Sequence, residues 1–241
     1  MPLVRLSEHG QWGGSLQQAG VPEFTLYADG LVIFARGQGD SAQPMQARLS
    51  TKEAEAVLER ANATLSSFPE RTNLVSGSDA AEAAIGVTYE GRIYSVSMYG
   101  FGSGGAKAPE AFTELHNELV AWDHPDAEPW TPDELTIVMF RVDGAPSNAW
   151  PKELPPPPNG SSEPPERAVG RDGASIRQPI RYRVPGNMEA VLGDIVPPLN
   201  ATGIDVDSDE RYAATFAWSG AAWHARYQRV VPERMWFWPR S

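Results

Sequence analysis

The sequence predicts an α+β fold of antiparallel β-hairpins, with two or three helices packed on one face. Three strand–turn–strand patterns carry this prediction, over Phe24–Phe34, Ile85–Val96 and Tyr212–Tyr227, and each turns at an acidic residue or a serine followed by glycine. Glycine adopts the positive φ that such short loops need, and the flanking β-branched and aromatic residues favour strands. Two amphipathic segments predict helices beside the hairpins.

The first predicted helix follows Ser50-Thr-Lys-Glu53, a capping-box pattern in which the serine hydroxyl and the glutamate each satisfy a backbone N–H. Its apolar residues recur at helical spacing: Ala54, Val57, Leu58, Ala61 and Leu65. The second helix begins at Pro109, and its apolar stripe consists of Phe112, Leu115, Leu119 and Trp122.

The remaining elements are predicted from shorter patterns. The apolar run Leu135–Val142 indicates a buried strand, Ile180–Val184 a short strand, and Asn187–Val196 a further helix before the third hairpin. The same four-residue sequence occurs in two predicted helices, at Glu55–Leu58 and at Glu189–Leu192. Each of these helices is followed by a hairpin. Two explanations of the repeat are open: two related subdomains, or a chance match between helices rich in alanine and leucine.

A proline-rich segment predicts the domain organisation. Residues 150–167 contain four successive prolines, Pro155–Pro158, with Pro151 before them and Pro164 and Pro165 after them. Such a run favours an extended, solvated polyproline conformation. We therefore expect an N-terminal α+β domain over 1–149, a linker over 150–167, and a smaller α+β subdomain with the third hairpin over 168–241.

Composition excludes several classes of function. The formal charge is −11 over 241 residues, so the chain lacks the basic face that nucleic-acid binding requires. Cysteine is absent, which excludes disulfides, thiol catalysis and zinc–thiolate or iron–sulfur sites. No apolar stretch approaches the length of a membrane span, and the first residues show no export signal. We expect no integral membrane segment, and the compartment stays open.

One glycine-rich segment has the spacing of a dinucleotide-binding loop. Gly100–Gly105 reads G-x-G-x-x-G between a predicted strand and a predicted helix. The preceding strand alternates apolar and polar residues within a hairpin, whereas a dinucleotide fold places a buried parallel strand there. No acidic residue follows at the spacing that would bind a ribose. The segment is therefore interpreted as a hairpin-to-helix connection, and no cofactor is expected.

Two acidic segments resemble metal sites in part. Asp205–Glu210 begins like a calcium loop, but its sixth position is Glu210 instead of glycine, and its twelfth is Phe216 instead of glutamate. Asp123-His124-Pro-Asp126 places one histidine beside two carboxylates, without a second histidine nearby. Both segments are interpreted as solvated turns, and no metal ligand or catalytic residue is assigned.

The C-terminal segment contains three adjacent aromatic residues, Trp236, Phe237 and Trp238. Each aromatic side chain buries roughly 150–250 Å², so exposure of all three to water is unfavourable. The segment either folds back on the core of the protein or binds a protein partner. Tryptophan and phenylalanine are favoured anchors in protein interfaces.

Short words along almost the whole chain resemble an uncharacterised family of bacterial proteins, most of them actinobacterial and exported or lipid-anchored. The words that carry the resemblance are Gly13-Gly14, Pro22–Ile33, Leu49–Ala61, Asp79-Ala80, Gly91-Arg92, Tyr99–Gly102, Trp150-Pro151 and Tyr227–Pro232. The resemblance implies an extracytoplasmic location and provides no catalytic residue, because the family has no assigned activity. This chain departs from the family in having no signal or lipid-anchor cysteine.

These patterns support three hypotheses for function. The favoured hypothesis is a non-catalytic binding or accessory protein, such as a subunit of a larger bacterial envelope assembly. The first alternative is a hydrolase-type enzyme whose site is assembled from residues distant in sequence. The second alternative is a calcium-stabilised structural module that uses Asp205–Glu210.

Overall fold

The computed structural model describes residues 1–9, 23–37, 42–76, 80–103, 107–142, 146, 148–157, 168–169, 175–176, 180–195, 215–218 and 220–229. The chain divides into two compact units, and the described residues up to Trp130 belong to unit 1, whereas those from Thr131 to Arg229 belong to unit 2. Both units combine helices with mostly antiparallel strands, which confirms the predicted α+β class.

The described residues of unit 1 form an eight-stranded sheet and two α-helices. Its elements are β1 (Pro2–His9), β2 (Phe24–Tyr27), β3 (Leu31–Arg36), β4 (Gln43–Arg48), α1 (Thr51–Leu65), β5 (Arg71–Asn73), β6 (Glu82–Tyr89), β7 (Arg92–Tyr99), α2 (Glu110–Val120) and β8 (Glu128–Pro129). The strand order is β5-β7-β6-β1-β2-β3-β4-β8. Every neighbouring pair is antiparallel except β5 with β7.

The hairpin turns follow the backbone chemistry of their sequences. Tyr89 pairs with Arg92, so Glu90 and Gly91 form a two-residue loop, and both have positive φ, at 48° and 74°. This is the geometry expected of a type I′ turn. The β2–β3 connection has three residues, one more than a two-residue loop, because β2 ends at Tyr27 and β3 begins at Leu31. Gly30 adopts a φ of 79° in this loop.

Both helices of unit 1 pack on the same face of its sheet. The core there joins alternate strand residues such as Leu6, Phe34 and Ile85 with Leu65 of α1 and Phe112 of α2. The capping box at the start of α1 is confirmed, since the Glu53 N–H donates to Ser50 Oγ at 3.3 Å and the Ser50 N–H donates to Glu53 Oε2 at 2.8 Å. The predicted apolar faces of the two helices are therefore the faces they bury.

Where unit 2 is described, it forms a five-stranded sheet, a separate strand pair, a 3₁₀ helix and an α-helix. Its elements are β9 (Glu134–Val142), β10 (Asn148–Ala149), β11 (Ala168–Val169), β12 (Ser175–Ile176), β13 (Ile180–Pro185), the 3₁₀ helix Gly186–Met188, α3 (Glu189–Ile195), β14 (Thr215–Trp218) and β15 (Ala221–Arg229). The sheet order is β10-β14-β15-β9-β13, and β11 pairs with β12. The third predicted hairpin is formed by β14 and β15.

The strand predicted over Leu135–Val142 exists, but its partners lie far away in sequence. β9 pairs with β13 and with β15, so it belongs to the sheet of unit 2 and not to a domain over 1–149. The compact units divide between Trp130 and Thr131, before the proline-rich segment. A strand buried in the middle of a sheet shows in the sequence only as an apolar run, which does not identify its neighbours. Residues 158–167 of the proposed linker lie outside the described residues. The linker therefore stays a prediction.

In the part of the chain that the structure describes, no helix is both long enough and apolar enough to cross a membrane. The repeated words Glu55–Leu58 and Glu189–Leu192 lie in α1 and at the start of α3. A common origin of the two units stays a prediction.

Candidate functional site

Two of the candidate binding segments lie outside the described residues. They are the aromatic cluster Trp236, Phe237 and Trp238 and the acidic segment Asp205–Glu210. Of the glycine-rich segment, Gly100 to Ser103 are described. Gly100 has a φ of 89°, and a Cβ added to it would lie 2.7 Å from the side chain of Val75. This glycine therefore allows the chain to turn against Val75, and the strand before it, β7, pairs with β6 as an antiparallel hairpin.

His124 is held by its neighbours after α2. Its Nδ1 accepts a hydrogen bond from the Asp126 backbone N–H at 3.2 Å, and its ring stacks on Trp122 with centroids 6.0 Å apart. Asp123 forms an ion pair with Arg36, and hydrogen bonding from that guanidinium lowers the pKa of Asp123 below its ordinary value. Within the described ranges, no group of three or more histidine or acidic side chains is arranged to hold a metal ion.

Ser50, Glu53 and His124 lie close together, but not in the order of a catalytic triad. Ser50 Oγ donates to Glu53 Oε2 at 2.6 Å, and His124 Nε2 lies 3.9 Å from Glu53 Oε1. A triad needs the histidine between the serine and the acid, so that the ring takes the serine proton. Here the carboxylate lies between them, where it serves the capping box.

A second histidine is buried in a polar cluster that the sequence analysis missed. His116, which is 6% exposed, lies on α2, and its Nε2 is 2.6 Å from Glu8 Oε1 at the end of β1. Its Nδ1 is 3.2 Å from Asn117 Oδ1, and the ring of Phe101 packs on it with centroids 4.4 Å apart. The available signal was the inward position of Glu8, which follows Val4 and Leu6 in strict alternation along β1.

A buried carboxyl group belongs to the same cluster. Glu23, directly before β2, is 4% exposed, and burial raises its pKa to about 8, with a further contribution from the negative charge of Glu8. Backbone N–H groups of Glu23 and Glu8 and the charge of Arg5 oppose this rise in pKa. Glu23 Oε1 is a buried atom for which the described part of the chain provides no hydrogen-bond partner. At neutral pH this carboxyl group is therefore mainly protonated, beside the Glu8–His116 pair.

Unit 2 contains a buried ion pair of its own. Arg229, the last residue of β15, forms an ion pair through Nη2 with Glu189 Oε1 at the start of α3. The Tyr227 hydroxyl donates to the same carboxylate oxygen at 3.5 Å. Burial, followed by the charge of Glu189, raises the pKa of Tyr227, so its hydroxyl stays protonated at neutral pH. Arg229 Nε and Nη1 are buried, and no hydrogen-bond partner for them is found among the described residues.

Comparison with known proteins adds no relative to this description. No family model, no curated protein and no solved structure matches the chain. The function of this chain is therefore inferred from its own residues alone.

Proposed function

We propose that this chain is a non-catalytic binding or accessory protein, such as a subunit of a larger bacterial envelope assembly. The proposal is supported by the way the side chains of His116 and His124 are held. Histidine is the residue most often used as a general base, and this role requires a ring nitrogen that is free to accept a proton from the reacting group.

Neither ring has such a nitrogen. Both nitrogens of His116 contact oxygen atoms, those of Glu8 and Asn117, and the ring is 6% exposed. Nδ1 of His124 accepts the Asp126 N–H, which places the ring proton on Nε2, facing Glu53. The contacts of both histidines therefore favour structural roles.

The hydrolase-type alternative has one specific observation in its favour. Glu8, Glu23 and His116 come from distant parts of the sequence and combine two carboxyl groups in different environments with an imidazole. A carboxyl group whose pKa is raised by burial, as that of Glu23 is, is typical of a general acid in catalysis. The calcium-stabilised module stays a third hypothesis and rests on Asp205–Glu210 alone.

An activity screen separates the first two hypotheses. The purified chain is assayed with chromogenic esters, phosphates and glycosides, and the matched variants are Glu8→Gln and His116→Gln. A binding protein gives the same background rate in all three proteins. Turnover by the wild-type chain that both variants lose by about tenfold or more would instead support the enzyme.

The partner is proposed to bind the aromatic cluster Trp236, Phe237 and Trp238. Deletion of Met235–Ser241 tests this, with deletion of Pro239–Ser241 as the control that keeps the cluster. A partner-binding cluster predicts that only the longer deletion abolishes co-purification with the partner, while the melting temperature stays unchanged. A large fall in the melting temperature would show that the segment stabilises the chain itself.

A further inference from the structure

The strand β13 is the last strand on its side of the unit 2 sheet. Its neighbour is β9, and the described strands provide no partner on its other side. Three residues of β13 are exposed, namely Arg181, Arg183 and Pro185. An unpaired strand edge carries backbone N–H and C=O groups to which a further strand can bind. In the described part of the chain, β13 therefore presents an open edge to other molecules.

The hydrogen-bond register shows which backbone groups point outward from this edge. The Gly186 N–H donates to the Asp133 carbonyl at 2.8 Å, in register with the pairing of β13 and β9. Bonded pairs alternate in an antiparallel ladder, so every second residue counted back from Gly186 points its N–H and C=O toward β9. The backbone groups of Arg181 and Arg183 therefore point away from β9. Pro185 points the same way but has no N–H, so the open edge of β13 presents two N–H donors.

The two faces of this edge differ in chemistry. Side chains alternate along a strand, so Arg181 and Arg183 lie on one face and Tyr182 on the other. The Tyr182 hydroxyl donates to the Pro155 carbonyl at 3.3 Å. Arg183 forms an ion pair with Glu134 at 2.6 Å, whereas the described residues provide no acidic partner for Arg181. A strand added here would meet an unpaired guanidinium on one face and an aromatic ring on the other.

We propose that β13 binds an extended, acidic segment of a partner protein, which adds to the sheet as a further antiparallel strand. The outward N–H and C=O groups of Arg181 and Arg183 bond to the backbone of this segment. Aspartate or glutamate at alternate positions of the segment faces the two arginines, and opposite charges directly across neighbouring strands stabilise their pairing. The positions between them face Tyr182, which favours apolar side chains there.

The acidic character of the whole chain does not prevent this contact. The formal charge is −11, but charges beyond about 8 Å are largely screened at physiological ionic strength, so the two arginines determine the local attraction. A second copy of the chain fits the edge less well. If two β13 edges paired, arginines of one copy would lie opposite arginines of the other, which is destabilising. The inference does not depend on the aromatic cluster, since it concerns other residues.

The probe is the capped peptide Thr-Glu-Val-Glu-Val-Glu-Thr, added to the full chain at pH 7 and physiological ionic strength. One control peptide has lysine in place of each glutamate. The other has N-methylated glutamates, which keep the charge but lack the N–H groups that pair with the edge. Amide hydrogen exchange measured by NMR reports the contact. In the free chain the amides of Arg181 and Arg183 should exchange much faster than that of Tyr182. The glutamate peptide should slow both saturably, by about tenfold or more, and the control peptides should not.

Two variants separate the charge of Arg181 from its backbone donor. Arg181→Gln removes the charge and keeps the outward N–H, whereas Arg181→Pro removes both. Proline is tolerated at an edge position whose N–H faces solvent, so both variants are expected to fold. Binding of the glutamate peptide should weaken several-fold in Arg181→Gln and be lost in Arg181→Pro. The matched control is Arg92→Gln, at an exposed arginine of β7 in unit 1, which should bind like the wild-type chain.

The proposal is overturned if the glutamate peptide gives no saturable protection, if either control peptide protects the same amides equally, or if Arg92→Gln weakens binding as much as Arg181→Gln does. Protection of the Arg181 and Arg183 amides in the free chain would also overturn it. The edge would then be occupied by another segment of this chain or, if the protection falls on dilution, by a second copy. If Arg181→Pro does not fold, Arg181→Gln and the N-methylated peptide still test the charge and the backbone contacts.

Discussion

Replacing Glu23 with glutamine should change how the stability of the protein depends on pH. The pKa of the buried carboxyl group is raised from 4.5 to about 8, so the folded chain holds this proton more tightly than the unfolded chain does. The stabilising contribution is complete below pH 4.5 and is lost as pH rises through about 8. Across this window the folded wild-type chain should lose on the order of 5 kcal/mol of unfolding free energy as an upper bound, at about 1.4 kcal/mol per pH unit.

Glutamine resembles the protonated side chain in shape and does not titrate, so Glu23→Gln should remove this slope. The measurement is urea denaturation of both chains at pH 5, 6, 7 and 8. Glu55→Gln, a change on the exposed side of α1, is the control and should keep the wild-type slope. A glutamine amide without a partner lowers the unfolding free energy of the variant by the same amount at every pH. The slope of the unfolding free energy against pH is therefore the quantity to compare. Equal slopes in wild type and Glu23→Gln would refute the reasoning.

Four further outcomes are expected. Gly30→Ala should lower the unfolding free energy more than Gly91→Ala, because both glycines have positive φ but only at Gly30 would an added Cβ lie 2.7 Å from a backbone oxygen. Urea denaturation compares the two variants, and equal losses would contradict this. Ser50→Ala should cost about 1 kcal/mol in the same assay, and no loss would argue against the capping box. Calorimetric titration with NAD, NADP and FAD should give no saturable heat, whereas binding that Gly102→Ala abolishes would contradict this. A chelator should shift the melting temperature by less than about a degree, and a calcium-reversible fall of several degrees would support the module at Asp205–Glu210.

The local elements could be predicted from the sequence because each is specified by its own residues. Glu90-Gly91 determines a two-residue turn, and Ser50 with Glu53 determines where α1 begins. These signals act over a few residues, and the structure contains them where they were expected. The loop at Gly30 has three residues, one more than a two-residue turn. Its length depends on where the flanking strands β2 and β3 end and begin, which the turn residues do not determine.

The polar clusters could not be predicted in the same way, because their members are brought together by the sheets. Glu8 and His116 are more than a hundred residues apart, and Glu189 meets Arg229 only once α3 packs beside β15. Charged residues at inward positions of an alternating strand, such as Glu8 on β1, are the one signal the sequence contained. The signal marks one partner and leaves the other unknown.

The pairing of β9 has a consequence for synthesis on the ribosome. All described strands of the unit 1 sheet lie within residues 2–129, so that sheet has been synthesised before β9 emerges. β9 ends at Val142, whereas its neighbour β15 begins roughly 80 residues later. At about 5–20 residues per second, the apolar strand waits on the order of 4 to 16 s for that neighbour. Although β13 can pair with one edge of β9 earlier, the other edge stays unpaired and aggregation-prone during this interval. Codon choice or chaperone supply between Val142 and Ala221 should therefore affect the yield of folded protein.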